Sequence, residues 1–458
     1  MKSFDAIVIG AGQAGPSLTG RLAAAGMQVA MIERHLFGGT CVNTGCMPTK
    51  TLVASAYAAQ VTRRASEYGV ILEREPQIDM PRVNARAVAV SKSSRQSIES
   101  SLRGMHGCTV YQGHASFESP TVVRVGDELL TAPRVFLNVG GRASVPDMPG
   151  VRDVPFLTNS SILAKTDLPR HLVVVGGSYV GLEFAQMYRR FGAQVTVVEM
   201  APHVISREDE DVSDEIRQIL EREGITVRVG ATCIGLARHD DGIAVTVACT
   251  QGPPLVVGSD VLLAVGRRPN TDDLGLDRAG VATDKRGYVT VNDDLSTNVP
   301  GIWALGDCNG RGAFTHTSYN DYEIVAANLL DGEKRLVTER VTAYALYIDP
   351  PLGRVGMTDA QARATGRPLL AAKRSMTKVG RAIEKGETQG FMKVVVDRDT
   401  RRILGAAILG TGGDEAIHGL IDAISANLPY DAIQRAVPIH PTVSELIPTL
   451  LGDLQPVA

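Results

Sequence analysis

The chain lacks long hydrophobic runs, blocks of basic residues and any dense set of cysteines. Its longest apolar stretches, such as AIVIG at residues 6–10, fall far short of the roughly 20 residues that a membrane-spanning helix needs. Because the first such stretch begins almost at the N-terminus, we expect neither a signal peptide nor a membrane partner. The formal net charge of -3 gives no electrostatic footprint for nucleic acid.

Cysteine is scarce, with six residues among 458. They are Cys41, Cys46, Cys108, Cys233, Cys249 and Cys308. So few cysteines in so long a chain do not make the disulfide framework of a secreted protein, and we expect a reducing, cytoplasmic environment. There, the close pair Cys41 and Cys46 is expected to be catalytic or metal-binding rather than structural.

Two stretches of the chain repeat one pattern. Residues 5–33 (DAIVIGAGQAGPSLTGRLAAAGMQVAMIE) and 171–199 (HLVVVGGSYVGLEFAQMYRRFGAQVTVVE) each contain an apolar run, a glycine turn, a helix-length stretch, a second apolar run and a final glutamate. In both, the glutamate follows the first glycine by 23 positions. The repeat predicts two βαβ units.

Each predicted βαβ unit carries the features of a dinucleotide site. Such a site needs a tight turn, backbone that can approach a pyrophosphate, a helix N-terminus and a carboxylate for the ribose hydroxyls. The first unit supplies Gly10, Gly12, Gly15 and Glu33, and the second supplies Gly176, Ser178, Gly181 and Glu199. The serine leaves open an alternative in which the second turn only packs a helix on a strand. Two sites on one chain suggest a resident and an exchanging cofactor, most simply FAD and a nicotinamide.

Three further positions fit the same interpretation. Apolar runs end at Gly140 in VFLNVGG and at Gly266 in VLLAVGRR, so we expect the chain to leave each unit through the same kind of segment, an apolar strand that ends at a glycine. The stretch IWALGDCN brings Asp307 to the start of a helix, where a carboxylate can bind the ribityl or phosphate hydroxyls of a flavin. The alternative for Asp307 is an ordinary helix cap.

The pair Cys41 and Cys46 allows three interpretations: half of a zinc site, two buried thiols, or a redox-active disulfide. Zinc needs a second cluster of ligands, and no Cys/His cluster of that spacing is present. A disulfide that closes so small a loop would restrict the unfolded chain little, so its place between a cofactor turn and a helix favours electron transfer. If a helix begins near Cys41, its dipole and Lys50 would lower thiol pKa values.

The motifs together resemble those of the FAD- and NAD(P)H-dependent disulfide oxidoreductases, which include glutathione reductase, dihydrolipoamide dehydrogenase and mercuric reductase. The resemblance rests on GGTCVNTGCMPTK, both glycine turns, GDC and the terminal HPTVSE, and it spans nearly the whole chain in that family's order. It implies an α/β fold with two Rossmann-like dinucleotide-binding domains, for FAD and NAD(P), and a C-terminal α+β dimerisation domain. The expected ranges are 1–150 for the first part of the FAD domain, 151–275 for the NAD(P) domain, 276–337 for the return to the FAD domain and 338–458 for dimerisation.

The same resemblance implies roles for individual residues. Cys46 would be the thiol next to the flavin, and Cys41 the outer thiol that attacks substrate. Lys50 would lie near the flavin ring and pair with Glu183, while Tyr179 would cover the ring until nicotinamide displaces it. Gly39 and Thr40 would join the cofactor site. The alternatives are a surface ion pair for Lys50 and Glu183 and core packing for Tyr179.

The terminal segment HPTVSE resembles the acid/base dyad of the family. His440 would take the proton from the attacking thiol while Glu445 orients the imidazole, and the histidine would reach the disulfide of another subunit. This implies a homodimer with shared active sites. The alternative is a capping box formed by Thr442 and Glu445 ahead of an apolar helix.

Departures from the family pattern guide the choice of activity. No cysteine follows Cys308, which disfavours a dedicated mercuric reductase, and no second histidine directly precedes His440, which disfavours lipoamide as substrate. The chain is most similar to the mercuric-reductase-like group that lacks the C-terminal cysteine pair. We hypothesise electron transfer from NAD(P)H through FAD to the Cys41–Cys46 disulfide and then to a small disulfide, a soft metal ion or an oxidant.

Several alternatives stay open. The protein could be a dihydrolipoamide dehydrogenase, a flavin diaphorase or transhydrogenase, or a redox-sensing protein. For the nicotinamide, Glu199 favours NADH over NADPH, because a carboxylate binds two ribose hydroxyls and repels a 2′-phosphate. Arg207 would reverse that preference if it reached the phosphate.

Overall fold

A five-stranded parallel sheet contains the first βαβ unit. A computed structural model describes residues 1–248 and 252–457 of the chain, so Cys249 lies outside the described residues. The strands of this sheet lie in the order Ile302–Ala304, Val135–Leu137, Ala6–Ile9, Val29–Glu33 and Cys108–Gln112. The strands AIVI and VAMIE are wholly buried, which is why they are continuous apolar runs rather than alternating ones.

The second βαβ unit forms a separate parallel sheet of four strands. Their order is Thr226–Arg228, Gln194–Val198, His171–Val175 and Asp260–Leu263. An antiparallel sheet of three strands follows along the chain: Thr232–His239, Gly242–Ala248 and Leu255–Gly258. A tight turn at residues 239–242 (HDDG) joins the first two of these strands.

The segments through which the chain leaves the two units pair with each other. The strand Gly141–Ala143, directly after Gly140, pairs antiparallel with Arg267–Pro269, directly after Gly266. A further sheet has the order Lys2–Ser3, Glu128–Thr131, Val122–Val125 and Ala115–Ser119. The similar sequences after the two glycines thus connect the nucleotide-binding units.

The C-terminal region is built on a six-stranded antiparallel sheet. Its strands lie in the order Ala343–Leu346, Leu352–Gly356, Ile403–Leu409, Phe391–Asp397, Leu369–Ser375 and Gln455–Pro456. The sheet and the short helices packed on it bury an apolar cluster of their own. Two parallel nucleotide sheets followed by this antiparallel sheet agree with the predicted α/β architecture.

The helices cover these sheets. They span Gly15–Ala24, Gly39–Asn43, Cys46–Arg63, Met80–Gly104, Tyr179–Phe191, Glu210–Arg222, Thr315–Ala326, Asp359–Ala364, Gly380–Glu384, Gly413–Ala416, His418–Ser425, Tyr430–Gln434 and Leu446–Gly452. Short 3-10 or π segments span Ala65–Tyr68, Ile162–Ala164, Gly306–Asn309, Ala327–Asp331, Val337–Glu339 and Met376–Lys378. None of the helices in residues 1–248 and 252–457 combines the length and apolar character required to cross a bilayer.

Candidate active site

The first glycine turn is too tightly packed for other residues. Gly10 has a φ of +101°, and a Cβ there would lie 2.4 Å from the carbonyl oxygen of Asn138. A Cβ on Gly12 would lie 2.7 Å from the Asn138 side-chain oxygen. Glu33 closes the turn from the next strand, because its carboxylate accepts hydrogen bonds from the backbone N–H groups of Ala11 at 2.9 Å and His35 at 2.8 Å. This backbone can approach a pyrophosphate closely.

Asn138 contacts this turn and was not predicted from the sequence. Its side-chain oxygen accepts the N–H of Gly15 at 3.0 Å, and its amide nitrogen donates to the carbonyl of Leu305 at 3.0 Å. The buried amide therefore ties the start of the first helix to the strand that leads to Asp307. A polar residue inside the apolar run VFLNVGG was the signal that could have found it.

A cavity of about 660 Å³ extends from this turn to the cysteine pair. Twelve of the residues predicted for the site line it: Gly10, Gly12, Glu33, Gly39, Thr40, Cys41, Cys46, Lys50, Gly140, Tyr179, Glu183 and Asp307. Its volume lies within the range of ligand and cofactor sites, about 300–1,000 Å³. The residues present fit FAD by their chemistry. Glycines without a Cβ let the backbone approach a pyrophosphate, and the Glu33 carboxylate at the end of the strand Val29–Glu33 is of the kind that binds ribose hydroxyls.

Asp307 lies on the wall of this cavity at the start of the 3-10 turn Gly306–Asn309. Burial raises the pKa of Asp307, and the nearby guanidinium of Arg267, 3.6 Å from its carboxylate, acts in the opposite direction. The carboxyl group therefore stands at the edge of the flavin-sized space rather than in bulk solvent. The contact of Asp307 with flavin hydroxyl groups stays a prediction beside the alternative of a helix cap.

The two cysteines lie on successive helices. Cys41 lies in the middle of the short helix Gly39–Asn43, and Cys46 is the first residue of Cys46–Arg63, so the long helix begins at Cys46 rather than near Cys41. Both are free thiols, and the Cys46 sulfur lies 3.1 Å from the hydroxyl oxygen of Thr315. The helix dipole is therefore directed at Cys46.

Hydrogen bonding separates the acidities of the two thiols. The hydrogen bond from Cys41 lowers the pKa of Cys46, and Thr315 and the charge of Lys50 act in the same direction against the effect of burial. The same hydrogen bond raises the pKa of Cys41, as does burial. Cys46 is thus the more acidic thiol of the pair and Cys41 the less acidic one.

Lys50 and Glu183 form an ion pair on the wall of the cavity. The Lys50 Nζ lies 2.5 Å from the Glu183 carboxylate and 4.5 Å from the ring centroid of Tyr347. The second oxygen of Glu183 accepts the backbone N–H of Tyr347 at 3.1 Å, and the Glu183 side chain is only 7% exposed. The alternative of a surface ion pair is therefore wrong for Glu183.

The second glycine turn lies outside this cavity. Gly176 has a φ of +112°, and Glu199 accepts the N–H groups of Gly177 at 2.5 Å and Ala201 at 2.8 Å. Among the predicted residues of this turn, only Tyr179, which begins the helix Tyr179–Phe191, reaches the cavity wall. Gly15, Gly176, Ser178, Gly181, Glu199 and Gly266 do not line it.

His440 and Glu445 form a hydrogen-bonded pair away from this cavity. The His440 Nδ1 lies 2.9 Å from the Glu445 carboxylate, and the imidazole side chain is 80% exposed. Thr442 also accepts the backbone N–H of Glu445 at 3.2 Å, so part of the alternative capping arrangement is present too. Neither member of the pair lines the cavity that contains the thiols.

Metal ligands are not gathered in the described part of the chain. No group of three or more His, Cys, Asp or Glu side chains there is arranged to hold an ion. The Cys41 and Cys46 thiols instead face each other and Thr315. The site therefore has the donors of thiol chemistry rather than of a closed structural zinc centre.

Comparisons with known proteins identify the family of the chain. Residues 4–321 match the model of the pyridine nucleotide-disulphide oxidoreductase family, and residues 342–451 match the dimerisation domain of that family. The chain therefore belongs to the FAD-dependent pyridine nucleotide-disulfide oxidoreductases, as its motifs predicted, and the predicted fold class is confirmed. The family implies FAD and a pyridine nucleotide as cofactors, and the dimerisation domain suggests a homodimer.

Particular relatives cover almost the whole chain. The probable pyridine nucleotide-disulfide oxidoreductase RclA of Escherichia coli (strain K12) is 34% identical over 99% of both chains. The mercuric reductase of Streptomyces lividans is 32% identical over 97% of this chain and 94% of its own. The dihydrolipoyl dehydrogenase of Thermus scotoductus is 32% identical over 97% of this chain and 96% of its own. The solved Cu(II) complex of HOCl-induced flavoprotein disulfide reductase RclA from Escherichia coli superposes with a TM-score of 0.90 at 33% identity and 99% coverage of both chains.

Proposed function

We propose that this protein is a flavoprotein reductase that passes electron pairs from NAD(P)H through the Cys41–Cys46 pair to a small disulfide or a soft metal ion. The observation that carries the proposal is the shared cavity, which contains the first glycine turn, both thiols and the ion pair of Lys50 and Glu183. Cofactor space and thiols are therefore contiguous.

The chain offers two sets of cofactor contacts. Those proposed for FAD are Gly10, Gly12, Gly15, Glu33, Gly39, Thr40, Lys50, Gly140 and Asp307. Those proposed for the nicotinamide nucleotide are Gly176, Ser178, Tyr179, Gly181, Glu199 and Gly266. FAD, when bound, accepts a hydride from the reduced nicotinamide and supplies two electrons to a disulfide.

The thiol pair carries the electrons onward. Two electrons and two protons convert the Cys41–Cys46 disulfide into two thiols. The Cys41 thiolate then attacks a substrate disulfide and releases one thiol, and Cys46 attacks the mixed disulfide, which releases the second thiol and restores the bridge. For a metal acceptor, the same two electrons reduce two Cu(II) ions to Cu(I).

The acidities of the thiols define what the acid/base dyad must do. Because the pKa of Cys41 is raised, this thiol needs a base before it can attack a disulfide. The His440 imidazole, oriented by Glu445, is suited to take that proton, but in one chain the pair does not line the thiol cavity. We therefore infer that His440 acts on the thiols of a second copy of the chain.

The surface near His440 supports such an assembly. Val437 and Ile439 have relative exposures of 96% and 80%, which is unusual for apolar residues outside an interface. Ile439 directly precedes His440, and Val437 lies three residues before it. In a homodimer that covers this segment, the pair His440 and Glu445 and the two hydrophobic residues would all contact the partner subunit. Each active site would then be shared between two subunits.

Two relatives bear on the acceptor. One is a mercuric reductase, and the solved structure of another is a Cu(II) complex, so soft metal ions are reasonable acceptors here as well. The absence of any cysteine after Cys308 still argues against a dedicated mercuric reductase. A thiol pair of this kind is expected to operate in a reducing compartment such as the cytoplasm.

Glu199 favours NADH as the electron donor. Its carboxylate is held by two backbone N–H groups at the end of the strand Gln194–Val198, where it would face the ribose hydroxyls and repel a 2′-phosphate. We expect a higher kcat/KM with NADH than with NADPH, and initial rates with both donors measure this. A preference for NADPH would instead assign Arg207 to the phosphate.

The decisive experiment replaces Cys46 by serine. We expect Cys46→Ser to lose NADH-driven reduction of both a disulfide and Cu(II) by at least about 100-fold while reduction of ferricyanide through FAD continues. Cys108→Ser is the matched control, because that half-buried thiol does not line the cavity. Full retention of acceptor reduction by Cys46→Ser would make the protein a diaphorase.

Anaerobic titration with NADH tests the thiol pathway directly. The protein should take up two electrons into a long-wavelength charge-transfer absorbance of the Cys46 thiolate before the flavin bleaches. Because the pKa of Cys46 is lowered, this absorbance should persist well below the pH at which an ordinary thiol protonates. Turnover with lipoamide would favour the dihydrolipoamide dehydrogenase alternative, and negligible turnover with every acceptor would favour a redox sensor.

A further inference from the structure

Three aromatic side chains pack together at one wall of the cavity. The Tyr179 ring makes edge-to-face contacts with Phe314 at 6.0 Å and with Tyr344 at 5.5 Å, and the Phe314 and Tyr344 rings stack at 5.8 Å. Tyr179 and Phe314 line the cavity, whereas Tyr344 does not. Tyr344 therefore contacts the cavity wall from behind.

The hydroxyl group of Tyr344 is fixed by a buried ion pair. It donates to one carboxylate oxygen of Glu208 at 2.5 Å, and the other oxygen accepts from the Nε of Arg354 at 3.0 Å. The side chains of Arg354 and Glu208 are 1% and 0% exposed. Arg354 also pairs with Asp209. A buried and fully paired network of this kind holds its members in one geometry.

The network connects parts of the chain that are distant in sequence. Tyr344 and Arg354 lie on the neighbouring strands Ala343–Leu346 and Leu352–Gly356, whereas Glu208 precedes the helix Glu210–Arg222. Phe314 lies directly before the helix Thr315–Ala326. Ring packing alone would be satisfied by phenylalanine at position 344, so the hydroxyl and its buried acceptor need a separate explanation.

We propose that Tyr344 is a positioning residue that, anchored by Glu208 and Arg354, holds the Tyr179 ring against the cavity and so limits access to the flavin. This inference rests on the proposed function, in which nicotinamide must displace Tyr179. Displacement of Tyr179 requires the rings of Tyr344 and Phe314 to move. The hydrogen bond from the Tyr344 hydroxyl group to Glu208 resists that movement. Small oxidants would meet the same restriction.

The test replaces Tyr344 by phenylalanine in the FAD-loaded protein. Tyr344→Phe keeps the ring but removes the hydrogen bonds of its hydroxyl group with Glu208 and with the Tyr179 side chain, so Tyr179 should leave the flavin more readily. We expect flavin fluorescence to rise, because a packed tyrosine ring quenches it, and the KM for NADH to fall about two- to tenfold, the ratio that corresponds to one hydrogen bond. The kcat with a thiol-dependent acceptor should change less than twofold.

Tyr319→Phe is the matched control, because this exposed tyrosine contacts Tyr322 and lies outside the aromatic cluster. A double-mutant cycle separates positioning from general packing. In a Tyr179→Ala background, Tyr344→Phe should have no further effect on fluorescence or on the KM for NADH. Equal effects in both backgrounds, or no change in either quantity for Tyr344→Phe with FAD still bound, would overturn the proposal.

Failure of this inference can be distinguished from failure of the proposed function. Flavin fluorescence and the KM for NADH, measured with ferricyanide as acceptor, do not depend on Cys41 or Cys46. Loss of the thiol pathway would therefore leave the effect of Tyr344→Phe intact. Conversely, a silent Tyr344→Phe would leave the effect of Cys46→Ser on disulfide and Cu(II) reduction unchanged.

Discussion

The first and second βαβ units have the same backbone turn but different surroundings. A Cβ on Gly10 or on Gly176 would lie 2.4 Å from a carbonyl oxygen, that of Asn138 in one unit and of Ala264 in the other. In each unit the terminal glutamate, Glu33 or Glu199, accepts two backbone N–H groups, one of them from the turn. The two turns are therefore equivalent in the hydrogen bonds that their glutamates accept.

The difference lies at two positions. The middle residue is Gly12 in the first unit and the exposed Ser178 in the second. The carbonyl that contacts the first glycine belongs to Asn138, whose side chain bonds to the turn, and to Ala264, which has no polar side chain. At this middle position the first turn is closed by buried contacts, whereas the second is open. A closed turn suits a resident cofactor, and an open one suits a nucleotide that exchanges.

The largest expected effect comes from making the first turn like the second. Gly12→Ser puts a Cβ 2.7 Å from the buried Asn138 oxygen, so the turn must shift. We expect the affinity for FAD to fall about tenfold or more, the size of a typical overpacking penalty. The FAD content after dialysis and the dissociation constant for added FAD measure it.

Gly104→Ser controls for the substitution itself, because a Cβ at that helix end meets no atom within 4 Å. Equal affinity for FAD in Gly12→Ser and Gly104→Ser would contradict the distinction between a closed and an open turn.

A smaller loss of FAD, together with a loss of stability, is expected when the buried amide is removed. Asn138→Ala leaves the N–H of Gly15 and the carbonyl of Leu305 without their partner, which costs about 1–3 kcal/mol for each buried group. We expect the free energy of unfolding in urea to fall by that order and the retention of FAD to decrease.

Asn298→Ala is the matched control for this prediction. Its amide also makes two hydrogen bonds to backbone groups, those of Ala282 and Gly280, but at an exposed position where water can replace them. A loss of stability as large as that of Asn138→Ala would show that burial of the amide does not matter.

The smallest effect is expected from the reciprocal change in the second turn. Ser178 is exposed, has a φ of -105° and makes no capping hydrogen bond with its side chain. Ser178→Gly should therefore change the KM for NADH by less than about twofold, since nothing in this turn requires a particular side chain there. A change as large as that of Gly12→Ser on FAD binding would mean that both turns are closed.

The motifs whose chemistry is local could be predicted from sequence. Gly10, Gly176 and the two glutamates were found because a dinucleotide turn requires fixed spacing within about 30 residues. Cys41 and Cys46 were found from their close spacing, whereas His440 and Glu445 were identified only through the family resemblance. The domain boundaries at 150, 275 and 337 and the roles of the site residues stay predictions.

Contacts between distant segments were harder to predict. Lys50 and Glu183 are 133 residues apart and were paired only through the family resemblance. Asn138, Tyr344 and Glu208 were missed, because a single polar or aromatic residue in a strand has no spacing that distinguishes it from a packing residue.

The sequence by itself determined the two glycine turns, the close cysteine pair and the family, because these depend on short fixed spacings. Only the tertiary structure decided which thiol is the more acidic, which turn is closed at its middle position and which side chains pack against Tyr179. Those properties depend on burial and on hydrogen bonds between segments that approach one another only when the sheets are packed together.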